Sequence, residues 1–300
     1  MTGEIHKMVM DVVPLHPVFA AQVTGVDLRE LPSPELVERI DAAMNEFAIL
    51  VVRDQHISDD QQLAFARSMG PLEPSAAVVE VHRQRLKHKE MVDISNLDVD
   101  GSILNADDRR RMFNLGNRLW HSDSSFKATP AKHSMLHARV VPPQGGDTEF
   151  ADMRAAWDAL PAELQSDIEA LVCDHSLIYS RALLGFDAFT PQELHEFEPV
   201  PQRLVRRHSG SGRRSLYLSA HIGTIHGLPR PEAMCLIRDL TEHATRQEFV
   251  YRHEWRQHDL VIWDNRCTMH RARPFDDRRF KRDMRRVTLM DISPTLEQPV

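Results

Sequence analysis

Leu36, Val37, Ile40, Ala43, Met44 and Phe47 recur at the three- and four-residue spacing of one helix face. Ser33 ahead of Pro34 supplies an N-cap and a first-turn proline, so the pattern predicts a helix beginning at Pro34. "AILVVRDQ" (48–55) reads as a buried strand, and Ser58 with Gln61 three residues on predicts a capped second helix that Gly70 stops. Residues 75–116 carry no sustained period. "VHRQRLKHKE" is charged and "NLDVDGSILNADDRRR" is polar and turn-rich, which predicts a lid or mobile loop offering side chains such as His82 or Arg83 to a ligand.

Downstream, "HSMLHARVVPP", "DTEFADM", "SLYLSAH", "EFVYRHEW", "DLVIWDN" and "RRVTLMDIS" have strand length, with Pro, Gly, Asp or Asn between them. Two helical stretches interrupt, "MRAAWDALPAELQSDIEALV" and "RPEAMCLIRDLTEHA". Many short strands with inserted helices predict a mainly β (α+β) sandwich or jelly roll rather than an alternating βαβ wind. No repeat or linker divides the chain, so residues 1–300 are expected to form a single domain.

Composition narrows the function. A chain of 300 residues with formal charge -7 spread along its length gains nothing from counterion release, which argues against nucleic acid as a partner. No stretch approaches the roughly 20 apolar residues of a membrane span and the start has no signal-like run, so a cytoplasmic protein is expected. Cys173, Cys235 and Cys267 lie far apart without CxxC spacing and are read as small buried apolar residues.

Chemistry concentrates in "RLWHSDSSF". On a strand or its end, His121 and Asp123 share a face and reach one cation together. A lone HxD is common by chance. A third candidate, His270, follows the apolar strand of "DLVIWDNRCTMHRARPF", and in an antiparallel barrel a late strand lies against an early one. Two imidazoles and one carboxylate leave the opposite side of a cation open, the arrangement of non-haem Fe(II) oxygenases. Zinc with a bound water remains a rival on the same ligands, as a hydrolase, and so does a non-catalytic metal- or sugar-binding jelly roll.

"WHSDSSF", "PPQGGDTEFADM", "IWDNRCTMHRA" and "RFKRDMRRVTL" resemble, in order, the marker segments of the Fe(II)/2-oxoglutarate dioxygenases of the taurine dioxygenase and 2,4-dichlorophenoxyacetate dioxygenase family. The resemblance covers most of the chain and is nearest to the aryloxyalkanoate-cleaving branch. It implies a double-stranded β-helix, with His121, Asp123 and His270 as iron ligands. It further implies that Thr148 and Arg282 hold 2-oxoglutarate, that Arg286 binds an anionic primary substrate, and that Asn117 lies near that substrate. The implied co-substrates are 2-oxoglutarate and O2, the implied substrate is an aryloxyacetate, sulfonate or alkyl sulfate, and the implied assembly is a homo-oligomer. Because the interval from His270 to the arginine pair is one residue longer than in the taurine branch, Lys281 or Arg285 remains an alternative holder of a carboxylate.

Bland readings stand beside these. "DDRRFKRDMRR" alone reads as an exposed basic strip, and Thr148 as a β-branched strand residue. Trp120 and Trp263 read as core packing, Gly145-Gly146 as a turn, and His208, His221 and His226 as structural histidines. Ser124 and Ser125 lack the GxSxG elbow of a serine hydrolase.

Overall fold

The computed structural model describes residues 10–74 and 83–299. Its largest sheet runs in the order β1 (Asp11–Pro14), β2 (Ala21–Thr24), β3 (Ile49–Val52), β13 (Leu260–Asp264), β5 (Ala131–Val140), β15 (Asp283–Met290) and β4 (Met91–Ser95). Facing it is a smaller sheet of β12 (Val250–His253), β6 (Thr148–Asp152) and β14 (Thr268–Ala272). A third sheet joins β11 (Ile222–Ile225), β7 (Val172–His175) and β8 (Val200–Arg203), and β9 (Val205–Arg207) pairs with β10 (Arg214–Leu216). The two facing sheets form the double-stranded β-helix, or jelly roll, that the strand pattern predicts.

Alternation along the strands explains the layers. Ile49, Val51, Leu136, Ala138, Val261, Trp263 and Met284 turn inward and pack with Phe150 of the small sheet. Leu50, Val52, Met135, Leu260, Ile262 and Val287 turn outward and are covered by Ile40, Met44, Leu63 and Phe65. Those covering residues belong to α1 (Pro34–Phe47) and α2 (Asp59–Met69). Both helices start as predicted: Ser33 accepts from the amide of Leu36, and Ser58 and Gln61 form a reciprocal capping box. The strand between them is shorter than 48–55, because Ala48 takes a left-handed conformation that ends α1 and Asp54 a second one that ends β3.

Within the 75–116 stretch, residues 83–116 are more regular than their sequence suggests. His82 lies outside the described residues, but β4 is the edge strand of the large sheet and α3 (Arg109–Asn114) follows it. Arg83 is committed to Asp98 and Asp108 and does not reach the cavity described below. The long helix expected from 153 on is broken by Pro161 into α4 (Met153–Asp158) and α5 (Ala162–Ile168). Two short helices not foreseen, α6 (Leu177–Ala182) and α7 (Pro191–Glu196), follow, while the second predicted helix forms as α8 (Arg230–Ala244).

Burial keeps several imidazoles neutral. Burial pushes His137 down to about 4, helped by Arg139, and His175 down to about 3. With folded values below the ordinary 6.5, the unfolded chain takes up protons that the native state refuses. Their contribution is complete above about pH 6.5 and is lost as the pH falls. Urea denaturation between pH 7 and pH 5 is therefore expected to show stability falling by up to roughly 1.4 kcal/mol per pH unit for each such histidine. A flat profile would contradict neutral burial.

Candidate active site

His270 sits in the middle of β14, opposite Phe150 of β6, so its ring turns inward between Phe150 and Trp263 while Met269 points outward. His121 is not part of a regular strand. It makes one antiparallel bridge to His270, with both backbone hydrogen bonds formed at 3.0 and 2.8 Å, after which the chain turns and Ser124 adopts a positive φ of 52°. The expected strand or strand end is thus a single bridge at His121, with Asp123 in the turn beyond it. Their proximity comes from that bridge and from the amide of Asp123, which donates to the side chain of Asn265 at 3.1 Å.

The outcome is a buried triad. His121 Nε2 lies 3.8 Å from Asp123 Oδ1 and His270 Nε2 lies 3.7 Å from Asp123 Oδ2. Two bonds of about 2.0–2.2 Å to a shared ion span up to about 4 Å, so one cation fits. His121 Nδ1 lies 2.8 Å from the carbonyl of Leu119, a contact that places the proton on Nδ1 and leaves Nε2 free as a ligand. Burial lowers both imidazoles, His270 to about 3 with the help of His121, so both are neutral donors at pH 7. Burial would raise Asp123, but Arg286, followed by His270 and His121, overrides it and holds the carboxyl at about 2. Neutral nitrogens and an ionised oxygen make up the donor set that a divalent cation requires.

A second group, His208, Asp264 and Cys267, has similar spacing, but its chemistry differs. Asp264 already accepts from Arg266, His133 and His208, and burial pushes the Cys267 thiol far above its ordinary range. This group is a saturated structural network, which accounts for His208. His226 binds Asp174 at the surface. His221 hydrogen-bonds Ser180 with its ring centroid 6.1 Å from that of His121.

One cavity gathers the predicted residues: His121, His270, Thr148, Arg282, Arg286 and Asn117 all line it, with Trp263. Period two separates the basic residues by face. Arg282, Met284 and Arg286 share the inward face of β15 and its approach, Arg285 is turned outward to Asp283, and Lys281 is exposed. Arg282 is 7 % exposed, yet among the described residues its guanidinium has no ion pair, and its Nε is buried without a partner. Burial, opposed by Asp147, lowers it to about 10. Thr148 Oγ1 accepts from Trp255 Nε1 at 3.0 Å, leaving the threonine hydrogen free to donate. Gly145 and Gly146 form the expected turn with left-handed φ values of 72° and 75°, and a Cβ on Gly145 would stand 2.6 Å from the carbonyl oxygen of Pro274. Arg286 is less free than the sequence suggests, because its Nη1 pairs with Asp123 Oδ1 at 2.5 Å.

Several residues of the site carried no signal of their own. Ser134, Asn265 and Trp255 are ordinary strand and turn residues in sequence, and only their contacts with Asp123 and Thr148 give them a part. The polar turn in "WDNRC" is the one feature that pointed near them.

A jelly roll with two imidazoles lining a cavity, a carboxylate bridging behind them, and a guanidinium in the same lining that has no ion pair among the described residues, has the architecture of a metal-dependent oxygenase with a facial triad. Residues 11–288 match the taurine catabolism dioxygenase TauD, TfdA family, and the chain belongs to it. It is 49% identical over 278 residues, 93% of this chain and 96% of the relative, to the alpha-ketoglutarate-dependent 2,4-dichlorophenoxyacetate dioxygenase of Cupriavidus pinatubonensis. To the (S)-phenoxypropionate/alpha-ketoglutarate-dioxygenase of Sphingobium herbicidovorans it is 40% identical, covering 89% of this chain and 90% of that one. The crystal structure of AAD-2 in complex with Mn(II) and N-oxalylglycine superposes with a TM-score of 0.88 at 50% identity, covering 97% of this chain and 100% of that one.

Proposed function

We propose that this chain is an Fe(II)- and 2-oxoglutarate-dependent dioxygenase that cleaves the ether of an aryloxyalkanoate such as 2,4-dichlorophenoxyacetate. The observation that carries the reading is Arg282: a buried guanidinium without a counter-ion among the described residues, lining the same cavity as Arg286, His121 and His270. An isolated buried charge is costly unless something completes it, and the distal carboxylate of a dicarboxylic acid does so. The names of the relatives support the same co-substrate and substrate class.

His121, Asp123 and His270 would hold ferrous iron, which supplies the activation of O2 that no side chain here can provide. Arg282 and the Thr148 hydroxyl fix the far carboxylate of 2-oxoglutarate, a planar fork matching a planar anion. Arg286 steers the carboxylate of the primary substrate, and Asn117 flanks it on the 3-10 turn Leu115–Arg118. Trp263 and Phe150 keep the triad dry on its inner side. Hydroxylation of the carbon beside the ether oxygen gives a hemiacetal that collapses to a phenol and glyoxylate, while 2-oxoglutarate and O2 yield succinate and CO2. The cytoplasmic setting and the homo-oligomer expected from the sequence belong to this proposal; light scattering checks the second.

The test is succinate release under air with Fe(II) and 2-oxoglutarate, across aryloxyacetates, sulfonates and alkyl sulfates. Aryloxyacetates are expected to give the highest kcat/KM together with an equivalent of phenol. Turnover without O2 and without 2-oxoglutarate would instead establish a zinc hydrolase. Arg286→Ala is expected to raise the KM for the aryloxyacetate by roughly 30-fold or more, the cost of removing one partner of a buried charge pair. Should only the 2-oxoglutarate KM respond, the roles of Arg282 and Arg286 are reversed.

A further inference from the structure

Behind the triad lies a closed ring of hydrogen bonds whose direction is fixed by groups that can only donate. Trp263 Nε1 and the amide of Asp123 both donate to Asn265 Oδ1, at 3.0 and 3.1 Å. Neither has an acceptor role to exchange, so the Asn265 amide is held with its oxygen toward them and its nitrogen away. That nitrogen donates to Ser134 Oγ at 2.9 Å. Ser134, now occupied as an acceptor, turns its single proton to Asp123 Oδ2 at 2.7 Å. Thr288 Oγ1, at 3.4 Å, is the weaker neighbour. Trp263, Asn265, Ser134 and Asp123 are all buried, so water does not compete for these bonds.

The ring leaves the two carboxylate oxygens unequal. Oδ2 is held from behind by Ser134, while Oδ1 faces His121 and carries Arg286. We infer that Asn265 is a positioning residue: by fixing Ser134 as the donor to Asp123 Oδ2, it sets the orientation in which this carboxylate meets the metal. The inference rests on the reading of Asp123 as a metal ligand.

The experiment measures binding of Mn(II) alone to the metal-free protein by electron paramagnetic resonance, without 2-oxoglutarate or turnover. Ser134→Ala is expected to weaken Mn(II) roughly 10–100-fold, the range for losing a partner that orients a metal ligand. Asn265→Asp is expected to do the same although Ser134 is intact, because its new oxygen accepts the serine proton and Oδ2 loses its donor. Ser134→Thr keeps the hydroxyl and is expected to restore the affinity; a merely structural role for the cavity volume would not show this rescue. Ser134→Ala removes one oxygen atom and carries the test should Asn265→Asp not fold. Wild-type affinity in Ser134→Ala or in a folded Asn265→Asp, or a loss that Ser134→Thr does not repair, overturns the inference. A wild-type protein that binds no Mn(II) overturns the ligand set itself, and the ring's purpose with it.

Discussion

Replacing His270 with alanine is expected to abolish 2-oxoglutarate-dependent succinate formation and to weaken metal binding by more than the roughly 10–100-fold that losing an orienting partner costs. It is the cleanest of the three ligand deletions. His270 Nδ1 is buried without a hydrogen-bond partner among the described residues, so removing the ring strands no group bonded to that nitrogen. The loss should therefore appear in the metal and in turnover, while circular dichroism and the backbone bridge to His121 persist. Asp123→Ala is expected to remove activity equally, but it also strands Arg286 and the Ser134 hydroxyl. Breaking a buried pair from one side costs about 3–5 kcal/mol of stability, so that variant should unfold at markedly lower urea. Coupled turnover surviving in His270→Ala would remove this residue from the ligand set, whatever its position on β14.

Arg282→Met carries the second large expectation, and its two effects have opposite signs. The native guanidinium is buried with no ion pair among the described residues, so an apolar replacement of similar length should leave the ligand-free protein at least as stable. The same change should weaken 2-oxoglutarate by about 2–5 kcal/mol, which is roughly 30-fold or more in apparent affinity. The KM for the aryloxyacetate should move far less. Neither Lys281 nor Arg285 can rescue the variant, since one is exposed and the other faces Asp283 on the outer side of β15. An unchanged 2-oxoglutarate KM together with a destabilised protein would make Arg282 a structural residue.

Both expectations follow from residues that the sequence singled out, and the reason is local. Helix caps at Ser33 and Ser58, the turn at Gly145-Gly146 and the two-residue alternation of β3, β5 and β13 depend on near neighbours, which a sequence displays directly. The HxD of His121 and Asp123 and the later His270 were legible as chemistry, whereas Thr148 and Arg282 stood out only through the family resemblance, since alone they read as a strand residue and a basic strip. The break of the helix at Pro161 could have been read from the proline itself. The regularity hidden in 83–116 could not, because β4 owes its existence to pairing with β15 rather than to any pattern of its own.

What the amino-acid order determined by itself was thus the strand-rich class, the capped helices and the identity of the donors and cations available to a metal and two carboxylates. What only the tertiary structure decided was which of them meet and in what state. The antiparallel bridge that carries His121 to His270, the pairing of Arg286 with Asp123 and the ring through Asn265 and Ser134 all join residues distant along the chain. Their geometry is set by sheet register and by burial, and burial also decides that the imidazoles stay neutral and Asp123 stays charged. Those are properties of neighbours in space, which no local pattern records.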